Sequence, residues 1–267
     1  HVEVRRSELS GGGLGVFAKC AFAEGELIFA LPAEAILLPD QDARTPDGSE
    51  LSQEARLALA LLRERDLGAA SPFAKYVDVL PGPDTYRYHP LFWPEGLQVD
   101  DVFVGSPRAK RIISGTRRGL RRSVRAMVSA GASAADATWA LVSVVSRMFS
   151  SEEVAGEPCP HLSPLLDSMN TATAGACSQG DSTAPSSAKP WCVRSTFTQQ
   201  GSAEIWADRD IAAGEELLLT YGPLSSAELL AVYGFLPSAG NVFEGADLVV
   251  DLAAELASGG GGSSGGS

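Results

Sequence analysis

The chain has 267 residues, 45% of them hydrophobic and 20% charged, which is enough to bury the core of one large or two small domains. Its formal net charge of −12 argues against a general nucleic-acid binder, because phosphate contacts require a basic surface. No apolar run approaches the length of a membrane span and the N-terminus has no signal-peptide pattern, so we expect no membrane association.

Residues 1–49 have the pattern of short strands. Strands are predicted at 2–4, 15–19 and 26–31. Pro32 and Pro39 mark the turns that follow. The chain begins with His1 in place of Met, so we expect the natural start to be missing together with any targeting peptide. We expect an intracellular protein of unspecified compartment.

Residues 50–150 change to a helical period. Apolar residues recur at helical spacing from Leu51 to Leu62, after Ser49 as the predicted N-cap. Further helical patterns cover 72–80, 108–130 and 134–149. Ser133 and Asp136 form a capping pattern at the start of the last one. We therefore predict a mainly helical segment between two β-rich parts.

The predicted helix over 108–130 is strongly basic. Between Arg108 and Arg125 it carries eight cations and no acidic residue, beside an apolar stripe near helical spacing. One interpretation is an arginine-rich solvated face, and the other is a docking surface for an acidic protein partner.

Residues 151–237 return to strands and turns. A long loop is predicted at 172–189, a hairpin at 191–197 and 203–209, a strand at 217–220 and a short helix at 226–232. We interpret residues 238–257 as the start of a truncated C-terminal region and 258–267 as a flexible Gly/Ser tail.

The four cysteines predict no metal site. Cys20, Cys159, Cys177 and Cys192 have no paired short spacing, and the sequence Cys159-Pro160-His161 is too short to chelate a tetrahedral metal. We expect free structural thiols in a reducing compartment and no bound metal.

Two apolar runs end abruptly in polar or turn-forming residues. One leads to Asn170 and the other to Tyr221, and buried strands that end in this way can present rigid polar groups at a site. A Gly13-Leu14-Gly15 turn lies near the start, and Arg147 closes an apolar helix. Each feature also has a structural explanation: a tight turn, an Asx turn, a strand-end tyrosine and a cation at a helix C-terminus.

Together, these pieces in this order resemble the SET-domain protein methyltransferases. Ser146-Arg147-Met148-Phe149 is similar to the Ser-Arg-x-Phe of the RuBisCO large-subunit methyltransferase-like group, and the helical stretch 57–81 resembles the insert of that group. Residues 167–171 match the family's Asp-x-x-Asn-His pattern except that Thr171 replaces the histidine. The resemblance covers residues 11–236.

The resemblance implies an α+β protein with a SET β-fold that a large helical insert interrupts, divided as 1–49, 50–150 and 151–237. It implies S-adenosylmethionine as the cofactor and Tyr221 as the catalytic residue, at the meeting point of methyl group and substrate nitrogen. The substrate channel would be lined by Phe149, Tyr221 and Phe235. The cofactor-binding residues would be Gly13, Leu14, Gly15, Val16, Arg147, Asp167, Ser168, Met169, Asn170, Thr171 and Tyr233.

The predicted function is methylation of lysine on a non-histone protein by a monomer that binds neither nucleic acid nor membrane. Lysine is preferred over histidine as the acceptor because Met148 and Phe149 make the channel wall apolar. The missing motif histidine and the missing C-terminal domain motivate a first alternative, a non-catalytic SET-type interaction module. A second alternative is an unrelated helical and β scaffold that docks an acidic partner through the basic helix.

Overall fold

The computed structural model describes residues 1–9, 13–94, 96–151, 159–171, 191–237, 241 and 243–244. The first strands are β1 (Val2–Arg6), β2 (Leu14–Ala18) and β3 (Leu27–Leu31). The helices that follow are α1 (Gln53–Leu67), α2 (Ala74–Val79), α3 (Val99–Val102), α4 (Pro107–Ser129) and α5 (Ala134–Val145). The described remainder contains β4 (Phe149–Ser151), β5 (Cys159–His161), β6 (Asn170–Thr171), β7 (Val193–Phe197), β8 (Ala203–Ala207), β9 (Leu218–Leu219) and α6 (Ser226–Tyr233).

The strands form small sheets. β1 pairs antiparallel with β2, β8 lies between β3 and β7 in an antiparallel sheet, and β4 pairs antiparallel with β5. β6 and β9 pair in parallel, with Asn170 opposite Leu218 and Thr171 opposite Leu219. Short strands on both sides of a helical segment confirm the predicted α+β class and its helical insert.

Two apolar clusters hold these layers together. In the helical segment, α1 and α5 pack through fully buried residues that include Leu57, Leu61 and Leu141. Their spacing of three to four residues directs one face of each helix inward. A second cluster lies among the strands and includes Val16 and Met169, both of which are predicted site residues. These two residues therefore have their side chains in the core.

The N-cap prediction for α1 was wrong by three residues. Ser52 caps the helix, and its hydroxyl oxygen accepts a hydrogen bond from the Ala55 amide at 3.2 Å. The hydroxyl of Ser49 instead donates to Asp47 at 2.8 Å, within the preceding turn. Both serines satisfy the sequence preference for a cap, and the tertiary path of the turn decides between them.

The predicted helix over 134–149 ends earlier, at Val145. Ser133 caps its start as predicted, because its hydroxyl accepts from the Asp136 amide at 3.0 Å. At the other end, the Ser146 hydroxyl donates to the Val142 carbonyl at 2.7 Å. Phe149 then lies in β4, opposite His161 of β5. The aromatic side chain is thus placed by a strand rather than by the helix.

The basic helix α4 is not uniformly solvated. Arg117 is only 6% exposed, and its guanidinium donates to the carbonyl oxygens of Trp93 and Pro94 at 2.9 Å and of Leu97 at 3.3 Å. Arg118 and Arg122 are exposed. The two interpretations of the basic helix, a solvated face and a docking surface, both placed all of its cations at the surface. This is wrong for Arg117, which lies on the buried side of the helix.

Several predictions lie outside the described residues: the loop at 172–189, most of 238–257, the tail at 258–267 and Cys177. The three described cysteines form no disulfide. None of the helices in the described residues combines the length and the hydrophobicity needed to span a membrane. Within the same residues, no group of three or more His, Cys, Asp or Glu side chains could hold a metal ion.

Two buried histidines are expected to make the fold acid-sensitive. His89 and His161 are 1% and 0% exposed, and burial lowers the pKa of each from 6.5 to about 4. The unfolded chain binds these protons near pH 6.5, whereas the folded chain binds them only near pH 4. Neither histidine therefore lowers the free energy of unfolding above pH 6.5. As the pH decreases from 6.5 to 5, each histidine lowers it by about 2 kcal/mol, because only the unfolded chain takes up the proton.

Urea titrations at pH 7 and pH 5 measure this effect. His161→Phe keeps the aromatic packing against Phe149 and Phe197 and should remove about half of the pH dependence. The matched control is His1→Gln, because His1 is exposed and should not alter the difference between the two pH values. A wild-type protein that is equally stable at both values would contradict the prediction.

Candidate functional site

The parallel pairing of β6 with β9 brings the two predicted motifs together. Asn170 and Thr171 form β6, and Tyr221 follows two residues after β9. The Tyr221 amide donates to Thr171 Oγ1 at 3.2 Å, and the Tyr221 hydroxyl donates to the Met169 carbonyl at 2.9 Å. Thr171, which replaces the motif histidine, thus helps to fix the backbone of the predicted catalytic tyrosine.

Tyr221 belongs to an aromatic group. Its ring stacks on Tyr233, with centroids 4.6 Å apart and planes inclined by 24°, and Phe235 packs edge-on against Tyr233 at 6.2 Å. Tyr233 ends α6, where Gly234 takes a left-handed φ of 78° as the C-cap. Burial raises the pKa of the Tyr221 hydroxyl above 10.0, so this hydroxyl stays protonated at neutral pH.

A cavity of about 150 Å³ lies beside these rings. We call it the aromatic cavity, and it is lined by Ser146, Arg147, Met148, Phe149, Asp167, Met169, Thr220, Tyr221 and Tyr233. Met148 and Phe149 are the apolar residues that the sequence placed in the channel wall. Phe235, also predicted to line the channel, is not among these residues and packs against Tyr233. The structure therefore places Phe149 and Tyr221 in the wall of one cavity, with Phe235 in contact with that wall.

A second set of residues, the glycine cradle, consists of Leu14, Gly15, Asn170 and Glu216. The Asn170 amide group donates to the Leu14 carbonyl at 3.0 Å and to Glu216 Oε1 at 2.7 Å. A Cβ on residue 15 would lie only 2.2 Å from Glu216 Oε1 and 3.1 Å from Asn170 Nδ2. Any larger residue at this position would therefore displace the side chains that form the cradle. It adjoins the aromatic cavity through the bond between Met169 and Asn170.

Sequence analysis did not identify Glu216. Glu216 lies opposite Phe17 in an isolated bridge to β2. Its Oε2 accepts from Ser7 Oγ at 2.8 Å while its Oε1 holds Asn170. Its position directly before the apolar run into β9 was the available signal. Glu216 fixes the orientation of the Asn170 amide and leaves Asn170 Oδ1 as an acceptor.

Arg147 and Asp167 form a buried pair at the edge of the aromatic cavity. Arg147 Nη1 donates to the Asp167 main-chain carbonyl at 3.0 Å. The same nitrogen lies 3.9 Å from Oδ2 of the Asp167 carboxylate. The Tyr76 hydroxyl donates to the same carboxylate at 2.5 Å. Burial raises the pKa of Asp167, and Arg147 opposes that shift. The Asp167 side chain is fully enclosed, so it orients Arg147 rather than facing the opening.

The remaining predicted residues have supporting positions. Gly13 and Leu14 are exposed at the start of β2, and the Leu217 amide donates to the Val16 carbonyl at 2.7 Å. Ser168 Oγ lies 3.4 Å from the Asp167 carboxylate. Tyr76, an insert residue, was not among the predicted site residues. Its contact with Asp167 spans 91 residues, which no local pattern indicates.

Comparisons with known proteins identify the family and the fold of this chain. The SET domain family matches residues 13–222, and the chain belongs to that family. The confirmed SET fold is also that of solved structures described as the SET domain of LSMT bound to lysine and AdoHcy, the same domain bound to MeLysine and AdoHcy, and Rubisco LSMT bound to AdoMet. No curated protein sequence matches significantly.

The likeness to these structures is one of fold. The identities are 20%, 21% and 20%, with TM-scores of 0.57, 0.54 and 0.54. The matches cover 88%, 89% and 89% of this chain but only 52%, 54% and 52% of the solved chains. The chain thus spans about half the length of the structures it resembles. Resemblance to the Rubisco LSMT group, predicted from the sequence, is supported at the level of architecture.

Proposed function

We propose that the protein is an S-adenosylmethionine-dependent lysine N-methyltransferase that acts on a non-histone protein. The observation that carries the proposal is that Tyr221 lines the aromatic cavity, with its hydroxyl bonded to the Met169 carbonyl directly beside the glycine cradle. Family membership and the ligands named for the similar structures, lysine with AdoHcy or AdoMet, support it.

The residues present fit this cofactor. Its α-ammonium group needs an acceptor, and Asn170 Oδ1 remains available because both N–H groups of the amide point toward Leu14 and Glu216. Its carboxylate needs a cation, and Arg147 retains a buried Nε–H with no partner among the described residues. Gly15 allows close backbone approach. We propose these three residues, with residues 13–16, 167–171 and Tyr233, as the cofactor site.

The proposed chemistry requires orientation more than acid–base strength. When bound, the cofactor supplies a sulfonium-linked methyl group that is already reactive toward an amine. The protein must therefore hold a neutral lysine nitrogen in line, after that nitrogen has lost a proton with an ordinary pKa of about 10.4. The Tyr221 O–H bond is directed to the Met169 carbonyl, which leaves the oxygen lone pairs to accept an N–H from lysine.

The cavity wall favours lysine as the acceptor. Met148 and Phe149 present a thioether and a ring to the space, and the rings of Tyr221 and Tyr233 stack along another side. An alkyl chain gains from contact with these surfaces, whereas an imidazole would need a polar partner to hold its ring nitrogens. Phe149 is in turn held by His161 and Phe197 in an aromatic cluster.

Calorimetric titration with S-adenosylmethionine tests the cofactor site. We expect micromolar affinity, about 8 kcal/mol. Asn170→Ala and Arg147→Ala should each weaken binding by about 1–3 kcal/mol. The matched control is Asn241→Ala, since Asn241 also donates to a main-chain carbonyl, that of Leu224, but lies outside the cradle. An absence of binding at millimolar cofactor would overturn the proposal and favour the non-catalytic interaction module.

Incubation of a cell lysate with labelled cofactor, followed by mass spectrometry, tests the acceptor. We expect the label on lysine of a non-histone protein. Label on histidine or only on histones would contradict the corresponding part of the proposal.

A further inference from the structure

A groove lined by arginines lies on α4, away from the residues proposed for catalysis. Its volume is about 370 Å³. One wall is formed by residues 97–100, and the other by Arg117, Arg118, Arg121 and Arg125, together with Ser114. We call this space the arginine groove. Arg118, Arg121 and Arg125 are spaced by three and four residues, so they project from the same side of the helix.

The two walls are held together firmly. The buried guanidinium of Arg117 binds the carbonyl oxygens of Trp93, Pro94 and Leu97, which fastens the facing segment to α4. Val99 of that segment packs in a small core with Ile113 of α4. The backbone of the two walls is therefore already ordered before a partner binds, and only side chains remain to be ordered.

Among the described residues that line the groove, Asp100 is the only acidic one, beside four arginines. α4 carries 8 of the 21 lysine and arginine residues of the chain and no acidic residue. Arg118, Arg121 and Arg125 form no ion pair with any residue that the structure describes. The carboxylate of Asp100, on the facing wall, lies 3.5 Å from Lys110. Like charges three and four residues apart destabilise a helix.

We infer that the arginine groove binds an acidic segment of the protein substrate, an inference that rests on the proposed function. Guanidinium groups bind carboxylates through two parallel hydrogen bonds, so a cluster of arginines suits a segment with several carboxylates. The wall of the groove that α4 forms is joined to the aromatic cavity through α6, because Ile113 and Leu230 share a buried apolar cluster and α6 ends in Tyr233. A substrate docked in the groove is thus bound by a helix that packs against α6, and α6 supplies Tyr233 to the cavity wall.

A short acidic segment suits this chain better than a nucleic acid. The chain carries 33 acidic residues and a net charge of −12. A nucleic acid presents a phosphate charge about every 1.7 Å of duplex and extends well beyond a groove of this size, so most of its phosphates would face a protein of net negative charge. A peptide with a few carboxylates contacts only the groove.

Fluorescence anisotropy with a labelled peptide of alternating glutamate and serine tests the binding directly. The matched pair is Arg121→Glu and Arg122→Glu, because the two positions are adjacent and have the same charge change, but only Arg121 lines the groove. At about 0.1 M salt, where the screening length is about 10 Å, Arg121→Glu should weaken binding about tenfold and Arg122→Glu less than about threefold. Arg118→Glu is a second groove variant on an exposed position.

In methylation of an acidic protein substrate, Arg121→Glu should raise KM about tenfold with kcat unchanged. Its affinity for S-adenosylmethionine should equal that of the wild type, which separates failure of this inference from failure of the proposed function. The inference is overturned if the acidic peptide does not bind, if Arg121→Glu and Arg122→Glu weaken it equally, or if an oligonucleotide binds the groove more tightly than the peptide.

Discussion

Tyr221→Phe is expected to lower the rate of methyl transfer to lysine by at least about 100-fold, roughly 3 kcal/mol of transition-state positioning. The hydroxyl is directed by the Met169 carbonyl, and its lone pairs are the polar feature that the proposal places at the substrate nitrogen. The ring itself keeps its stacking on Tyr233, so the fold and the cofactor affinity should stay within about twofold of the wild type.

Single-turnover rates with labelled cofactor and an identified substrate measure this effect. Tyr88→Phe is the matched control, because Tyr88 is 62% exposed and lies outside the site, and it should have the wild-type rate. The rate should rise with pH in wild type and in Tyr221→Phe alike, since in both the lysine must first lose its proton. Full turnover by Tyr221→Phe would remove Tyr221 from its proposed catalytic role.

Gly15→Ala is expected to weaken cofactor binding about 100-fold, close to 3 kcal/mol. The added methyl group would lie 2.2 Å from Glu216 Oε1, so the Glu216 side chain must move. That carboxylate is held by Ser7 and in turn holds the Asn170 amide, and its displacement breaks hydrogen bonds on both sides. The variant therefore alters the acceptor that Asn170 presents as well as the space beside the backbone.

Calorimetry measures the loss of cofactor affinity, and thermal unfolding shows whether Gly15→Ala also destabilises the fold. Gly115→Ala makes the same chemical change within α4, where no atom lies within 4 Å of the new Cβ. It should leave cofactor affinity unchanged and stabilise the helix by about 0.5–1 kcal/mol. If Gly15→Ala bound the cofactor as tightly as Gly115→Ala does, the cradle would not be part of the cofactor site.

Local patterns in the sequence were sufficient for many of the elements, whereas the roles of most predicted site residues came from the resemblance to the SET family. Alternation and turn residues predicted β1, β2, β3 and the hairpin of β7 with β8, and helical spacing predicted α1, α4 and α5. The ends of two apolar runs pointed to Asn170 and Tyr221. These features depend on neighbours within about four residues, which is the range over which side-chain spacing and capping act.

Only the tertiary structure decided how the predicted residues meet. The parallel pairing of β6 with β9 joins segments about fifty residues apart, and it sets Thr171 against the Tyr221 amide. The same long-range packing brings Glu216 to Asn170 and Tyr76 to Asp167. It also buries Arg117, which the sequence had placed at the surface. A polar side chain is assigned its role by the groups that other parts of the chain bring within about 3 Å of it, and spacing along the sequence does not contain those distances.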